Sequence, residues 1–175
     1  MLKKAQGNNK AKIFILNGNA TCGKDTFADI VGKYTKTFHY SIVSPIKNLI
    51  QDSSDVTGVN FQNKNEKLRK LISDIKLAYE EYNDLPYRKT VETIESIKDK
   101  YDCIFVDMRE KSDIERLRAN YEVKILLIEN TRAPRITTNV ADANIYKCPY
   151  DLIIENNGTL EDLERTAKEF VELFF

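Results

Sequence analysis

The chain has 175 residues, 42% of them hydrophobic and 31% charged, which is enough for one compact domain with a real core and excludes a disordered chain. Lys plus Arg and Asp plus Glu balance at 27 each, so the net charge is zero. That argues against a dedicated nucleic-acid binder, which carries a basic excess, but leaves room for a local basic cleft.

In chain order, the opening MLKKAQGNNKAK is basic but lacks the apolar segment of a secretory signal, and it reads as a frayed terminus. Lys12 to Asn17 (KIFILN) is an apolar run ending at Gly18, which predicts a buried strand. From Thr26 onward Phe27, Ile30, Val31 and Tyr34 fall at helical spacing. Phe38 to Val43 (FHYSIV) is rich in β-branched and aromatic residues and fits a second strand. Pro45 then opens a short helix through Ile50.

Lys64 to Tyr82 predicts a long helix with Leu68, Leu71, Ile72, Ile75, Tyr79 and Tyr82 on its stripe. Asp84 can cap the next helix, which has Pro86 in its first turn and Val91, Ile94 and Ile97 inward. Cys103 to Val106 is a strand ending at Asp107. Ser112 to Glu115 has a capping-box pattern, opening a helix with Ile114 and Leu117 inward. Val123 to Ile128 (VKILLI) and Leu152 to Ile154 are further strands. Thr159 to Asp162 opens a last helix carrying Leu163, Ala167, Phe170 and Phe174.

Strands alternating with helices imply a sheet covered on both faces. The expected fold is therefore an α/β three-layer domain with a five-stranded, mainly parallel sheet. The helical stretch of about residues 44–100 must be an insertion over one end of the sheet. No run approaches the about 20 apolar residues that span a bilayer. Cys22, Cys103 and Cys148 are odd in number, widely spaced and without metal-ligand spacing, as expected of reduced thiols in the cytoplasm.

The segment Asn17 to Thr26, NGNATCGKDT, carries the chemistry. Gly18, Gly23 and Lys24 fall on the positions of a phosphate-binding Walker A loop, G-x-x-x-x-G-K-[ST]. Gly18 lets the chain turn, and Gly23 lets the backbone approach a phosphate closely. The N–H groups of Asn19, Ala20, Thr21, Cys22 and Gly23 then point inward, and the helix start adds partial positive charge. Lys24 reaches the β- and γ-phosphates. Asp25 stands where the loop's hydroxyl holds magnesium. Carboxylate is a normal ligand for that ion, so Asp25 can replace the hydroxyl; alternatively Asp25 is a helix-start acid and Thr26 takes that part. Cys22 reads as a small residue that fits the loop, and His39, the only histidine, as structural.

The run GKDT after an apolar strand resembles the bacteriophage deoxynucleoside monophosphate kinases and their bacterial relatives; animal-type phosphomevalonate kinases share the GKD variant. Val106 to Glu115 (VDMREKSDIE) looks like that family's D-x-R segment, and Tyr150 to Thr159 (YDLIIENNGT) like its last strand and turn. The resemblance covers most of the chain, more weakly from Asp52 to Tyr101. It departs from the family at Glu110-Lys111, where a proline is common.

The resemblance implies a P-loop nucleotide kinase fold with ATP and Mg2+ as cofactors. Lys24 would polarise the transferred phosphate, and Asp25 and Thr26 would organise the metal. Asp107 would hold metal-bound water or acceptor groups, and Arg109 the acceptor phosphate. Arg132 and Arg135 would close a lid of about residues 130–147, although two arginines in a loop also fit a solvated surface. Asn157 would lie beside the adenine, although Asn-Gly is also simply a good turn. Arg69 and Arg88, on the helices of the insertion, could meet the acceptor phosphate. The implied acceptor is a (deoxy)nucleoside monophosphate, with phosphomevalonate as runner-up and a non-catalytic nucleotide sensor as a second class. No membrane or nucleic-acid polymer is expected as partner, and a homodimer is possible without a readable apolar seam.

Overall fold

The computed structural model describes residues 10–61, 65–133, 145 and 148–175. The first strand, β1 (Lys12–Asn17), leads through a glycine loop to α1 (Lys24–Val31). After β2 (Thr37–Ser41) come α2 (Ser44–Asp52), the single turn α3 (Ser54–Thr57), α4 (Glu66–Asn83) and α5 (Leu85–Ile97). The chain returns through β3 (Cys103–Asp107), α6 (Lys111–Asn120), β4 (Val123–Glu129), β5 (Leu152–Glu155) and α7 (Leu160–Phe174). The strands form one five-stranded sheet in the order β2-β3-β1-β4-β5. β1 pairs in parallel with both β3 and β4, and β4 with β5. The expected α/β class and the five-stranded, mainly parallel sheet are both found.

Two compact units emerge, Met1–His39 with Ser96–Phe175, and Tyr40–Glu95. In the sheet-bearing unit, β1, β3 and β4 are central and read as apolar runs because both faces are covered. One face holds a ring cluster. Phe14 packs edge-on against Phe170 at 4.9 Å and Phe174 at 5.0 Å, and Phe27 against Phe170 at 5.4 Å. α7 supplies this wall because Leu163, Ala167 and Phe170 share its buried face. Its N-terminus is fixed by a complete capping box between Thr159 and Asp162, as the sequence predicts. At its other end the Lys12 ammonium donates to the Phe174 carbonyl.

The helical unit is built on α2, α4 and α5. Leu68 is buried on α4, while Ile72, Ile75 and Tyr79 are half-buried. Two members of the predicted stripe turn outward: Leu71 is exposed, and Tyr82 is 81% exposed. Lys76 takes an inward position instead, and its ammonium is paired with Glu80 one turn on. Ile94 and Ile97 are buried on α5.

Several boundaries differ from expectation: β2 stops at Ser41, short of Val43, and two helix ends move. α1 ends at Val31 with Gly32 as its C-cap, so Tyr34 lies beyond it and is exposed. α6 begins at Lys111 with Glu110 as N-cap, so Ser112 is already inside the helix and forms no capping box. Ile114 and Leu117 are buried as predicted. Among the described residues no helix is long and apolar enough to cross a membrane.

Candidate functional site

The loop between β1 and α1 lies at the carboxyl edge of the sheet, where open α/β sheets place ligands. Gly18 has φ 142° and Gly23 φ 101°, both in the region glycine favours. Space demands glycine as well: a Cβ on Gly18 would collide with the Ile128 carbonyl, and one on Gly23 with the Asn156 amide. Thr21 (φ 63°) is left-handed without being glycine. The loop is therefore held in a specific coil between strand and helix.

Lys24 opens α1 and is 8% exposed. Its ammonium donates to the carbonyls of Gly18 at 2.9 Å and Asn19 at 2.8 Å, with the Cys22 sulfur at 3.6 Å. The charge thus sits inside the loop. The Asn17 side chain, fully buried, accepts from the Gly18 N–H at 2.8 Å and fixes the start of the turn.

Three acidic or imidazole groups converge beside this loop. Asp25 is exposed in the first turn of α1. Asp107 ends β3, in register with Leu16 on β1. His39 comes from β2. Each offers one donor atom, and these atoms lie within 4.8 Å of one another. His39 Nε2 and Asp107 Oδ1 are 3.1 Å apart. That is an ion-pair distance, yet both atoms are buried without an aligned hydrogen-bond partner. Burial disfavours the imidazolium, but the Asp107 carboxylate, with Asp25 and Asp29 behind it, more than reverses this, so the His39 pKa is raised.

The residues fit a divalent cation: two carboxylates and an imidazole, with two buried donor atoms lacking hydrogen bonds, make a conventional donor set. Sequence reasoning assigned His39 a structural part. Its position beside Asp107 depends on β2 lying next to β3, which no local pattern announces.

Asn156 also enters here. Its amide donates to the Cys22 carbonyl at 2.9 Å and so braces the loop from the turn after β5. Asn157, expected near the adenine, accepts from the Thr131 N–H at 2.8 Å and hydroxyl at 2.9 Å. It ties the turn after β5 to the chain leaving β4. Thr26 is exposed next to Asp25. Arg109 is half-buried two residues beyond Asp107, and Arg132 is exposed after β4. In the helical unit Arg69 is half-buried on α4, and Arg88 on α5 donates to the Asn83 carbonyl at 2.8 Å. Arg135 and most of the expected lid lie outside the described residues.

Two other features carry no phosphate chemistry. Cys103 is buried, which pushes its thiol up to about 12, out of the reactive range. An open depression of about 430 Å³ in the helical unit is lined by Gln51, Ser54, Gly58, Val59, Asn60 and Phe61, none of them charged.

No family model and no curated protein matches the chain. Solved structures do. The chain is similar to TT1252 from Thermus thermophilus, at 15% identity and TM-score 0.54, over 95% of this chain and 99% of that one. A dephospho-CoA kinase from Campylobacter jejuni matches at 15% identity and TM-score 0.52, over 94% and 97%. A sugar kinase from Janibacter sp. HTCC2649 matches at 12% identity and TM-score 0.52, over 93% and 95%. The chain shares its fold with these solved structures.

Proposed function

We propose that the chain is an ATP-dependent phosphotransferase that moves the γ-phosphate to a small phosphorylated acceptor, a (deoxy)nucleoside monophosphate. The observation that carries this reading is Lys24, whose ammonium lies inside a glycine-bounded loop joining β1 to α1. Phosphoryl transfer needs little covalent help from a protein; it needs positioning and positive charge around the transferred group. Lys24 supplies that charge, and the loop N–H groups with the start of α1 bind the remaining phosphate oxygens.

Asp25, Asp107 and the Thr26 hydroxyl would hold Mg2+, which when bound neutralises charge on the β- and γ-phosphates. Arg109 grips the acceptor phosphate beside Asp107. Arg132 and Arg135 belong to a lid of about residues 130–147 that excludes water and limits wasteful hydrolysis. Arg69 and Arg88 serve an acceptor region formed by about residues 44–100. The enzyme works in the cytoplasm. The names of two of the three fold neighbours, a dephospho-CoA kinase and a sugar kinase, support transfer to a small molecule. The monophosphate acceptor rests on the resemblance of GKDT and D-x-R. A kinase of another monophosphate such as phosphomevalonate is the second reading, favoured by the shared GKD.

The test is ADP release from ATP and Mg2+ against a panel of nucleoside and deoxynucleoside monophosphates, with phosphomevalonate included. Acceptor-dependent turnover is expected, reduced at least about 100-fold by Lys24→Ala. Silence across the panel with ATP still bound would replace this reading with a nucleotide sensor.

A further inference from the structure

A magnesium site of an ordinary phosphate loop needs only oxygen donors. This chain puts a nitrogen beside them. His39 Nε2 reaches the cluster from β2, 3.1 Å from Asp107 Oδ1. Adjacent donors on an octahedral ion with bonds of about 2.1 Å lie about 3.0 Å apart, so the observed separation already matches an edge of a coordination shell. Opposite donors lie about 4.2 Å apart, and the whole triad falls within 4.8 Å. Asp25 is the exposed member. The other two atoms are buried and face each other as an ion pair, with no aligned hydrogen bond to any other group.

We infer that Asp25, His39 and Asp107 form a site for a first-row transition-metal dication, bound directly by the His39 imidazole and held before any nucleotide arrives. The donor set decides the class of ion. Imidazole suits cobalt, nickel, zinc and iron, while magnesium is bound through oxygen and keeps its water. Three protein donors leave coordination positions open, as in metal sites that also bind substrate. Two carboxylates facing one dication also relieve their mutual repulsion beside the loop. The inference shares Asp25 and Asp107 with the phosphotransfer reading but makes a separate claim, since it concerns the protein without nucleotide.

Co2+ is the probe, because its visible absorption reports ligand type and number directly. The metal-free protein is titrated with Co2+ at pH 8, where a ligand imidazole can be unprotonated, with no nucleotide present. One Co2+ per chain is expected, with absorption bands that shift on binding and resist a large excess of Mg2+. His39→Ala and Asp25→Asn should each weaken binding by at least about tenfold. Asp25 is exposed in a first helical turn, so its variant folds even if the His39 variant does not; circular dichroism checks both. Absence of saturable Co2+ binding by the folded protein, equal affinity in both variants, or displacement by equimolar Mg2+ would each overturn the site and leave His39 and Asp107 as an ion pair. Failure of the phosphotransfer assay would leave this titration untouched, and the reverse also holds.

Discussion

Asn156 shows how one side chain can govern a loop it does not belong to. Its amide donates to the Cys22 carbonyl, and its nitrogen stands 2.3 Å from where a Cβ on Gly23 would be. Asn156→Ala removes that donor and leaves a carbonyl of the β1–α1 loop without it. A hydrogen bond of this kind contributes about 1 kcal/mol, roughly a fivefold effect on an equilibrium. Calorimetric titration should therefore find ATP bound about fivefold more weakly by Asn156→Ala. Unchanged affinity would mean the loop keeps its shape without the brace. Gly18, Gly23 and Lys24 were legible in the sequence because their geometry is local: a turn, a close approach and a first helical residue. Asn156 and His39 were not. Each acquires its part from the order of the strands in the sheet, and in the sequence one reads as the residue before an Asn-Gly turn and the other as a lone histidine inside an aromatic strand.

At the scale of elements, α7 and α6 make an instructive pair. Both carry a capping-box pattern, but only Thr159 and Asp162 form one. Ser112 fails because the chain leaving β3 reaches helical geometry at Lys111, two residues after Arg109, so the cap position falls on Glu110. A pattern of four residues cannot reveal where a preceding strand releases the chain. The formed box has a pH signature. The Thr159 N–H, then Arg165 and the Thr159 hydroxyl, hold the Asp162 carboxyl down at about 2, below its ordinary 3.8. A depressed carboxyl stabilises the fold above its unfolded value, and that contribution fades as pH falls from about 4 toward 2. Asp162→Asn should thus melt at lower temperature than the parent protein at pH 6, and the gap should narrow below about pH 4. A gap of constant size across that range would show that the box, not its charge, sets the difference.

For the sheet-bearing unit as a whole, the ring cluster around Phe14 is the main store of stability that one substitution can reach. Phe14 is 1% exposed and contacts rings from β3 and from α7 and the residue after it. Phe14→Ala should cost about 3–5 kcal/mol, read from urea unfolding. A loss under about 1 kcal/mol would mean the neighbouring rings close the gap. The sequence announced this unit well: IFIL within KIFILN and ILLI within VKILLI are apolar runs, as parallel strands covered on both faces require. β2 was harder to bound: its pattern spans Phe38 to Val43 but the strand runs Thr37–Ser41 at one edge of the sheet, whereas β5, at the other edge, is placed to within one residue.

The capped end of α7 lies past β5, and its other end meets Lys12 at the start of β1, so the helix runs back against the strands. Leu173, 67% exposed, therefore sits at the amino edge of the sheet, away from Lys24. All three native thiols are buried. A single cysteine introduced at Leu173 would give a chemical handle that tethers every molecule to a sensor chip in the same orientation, with the loop turned toward the flowing solution.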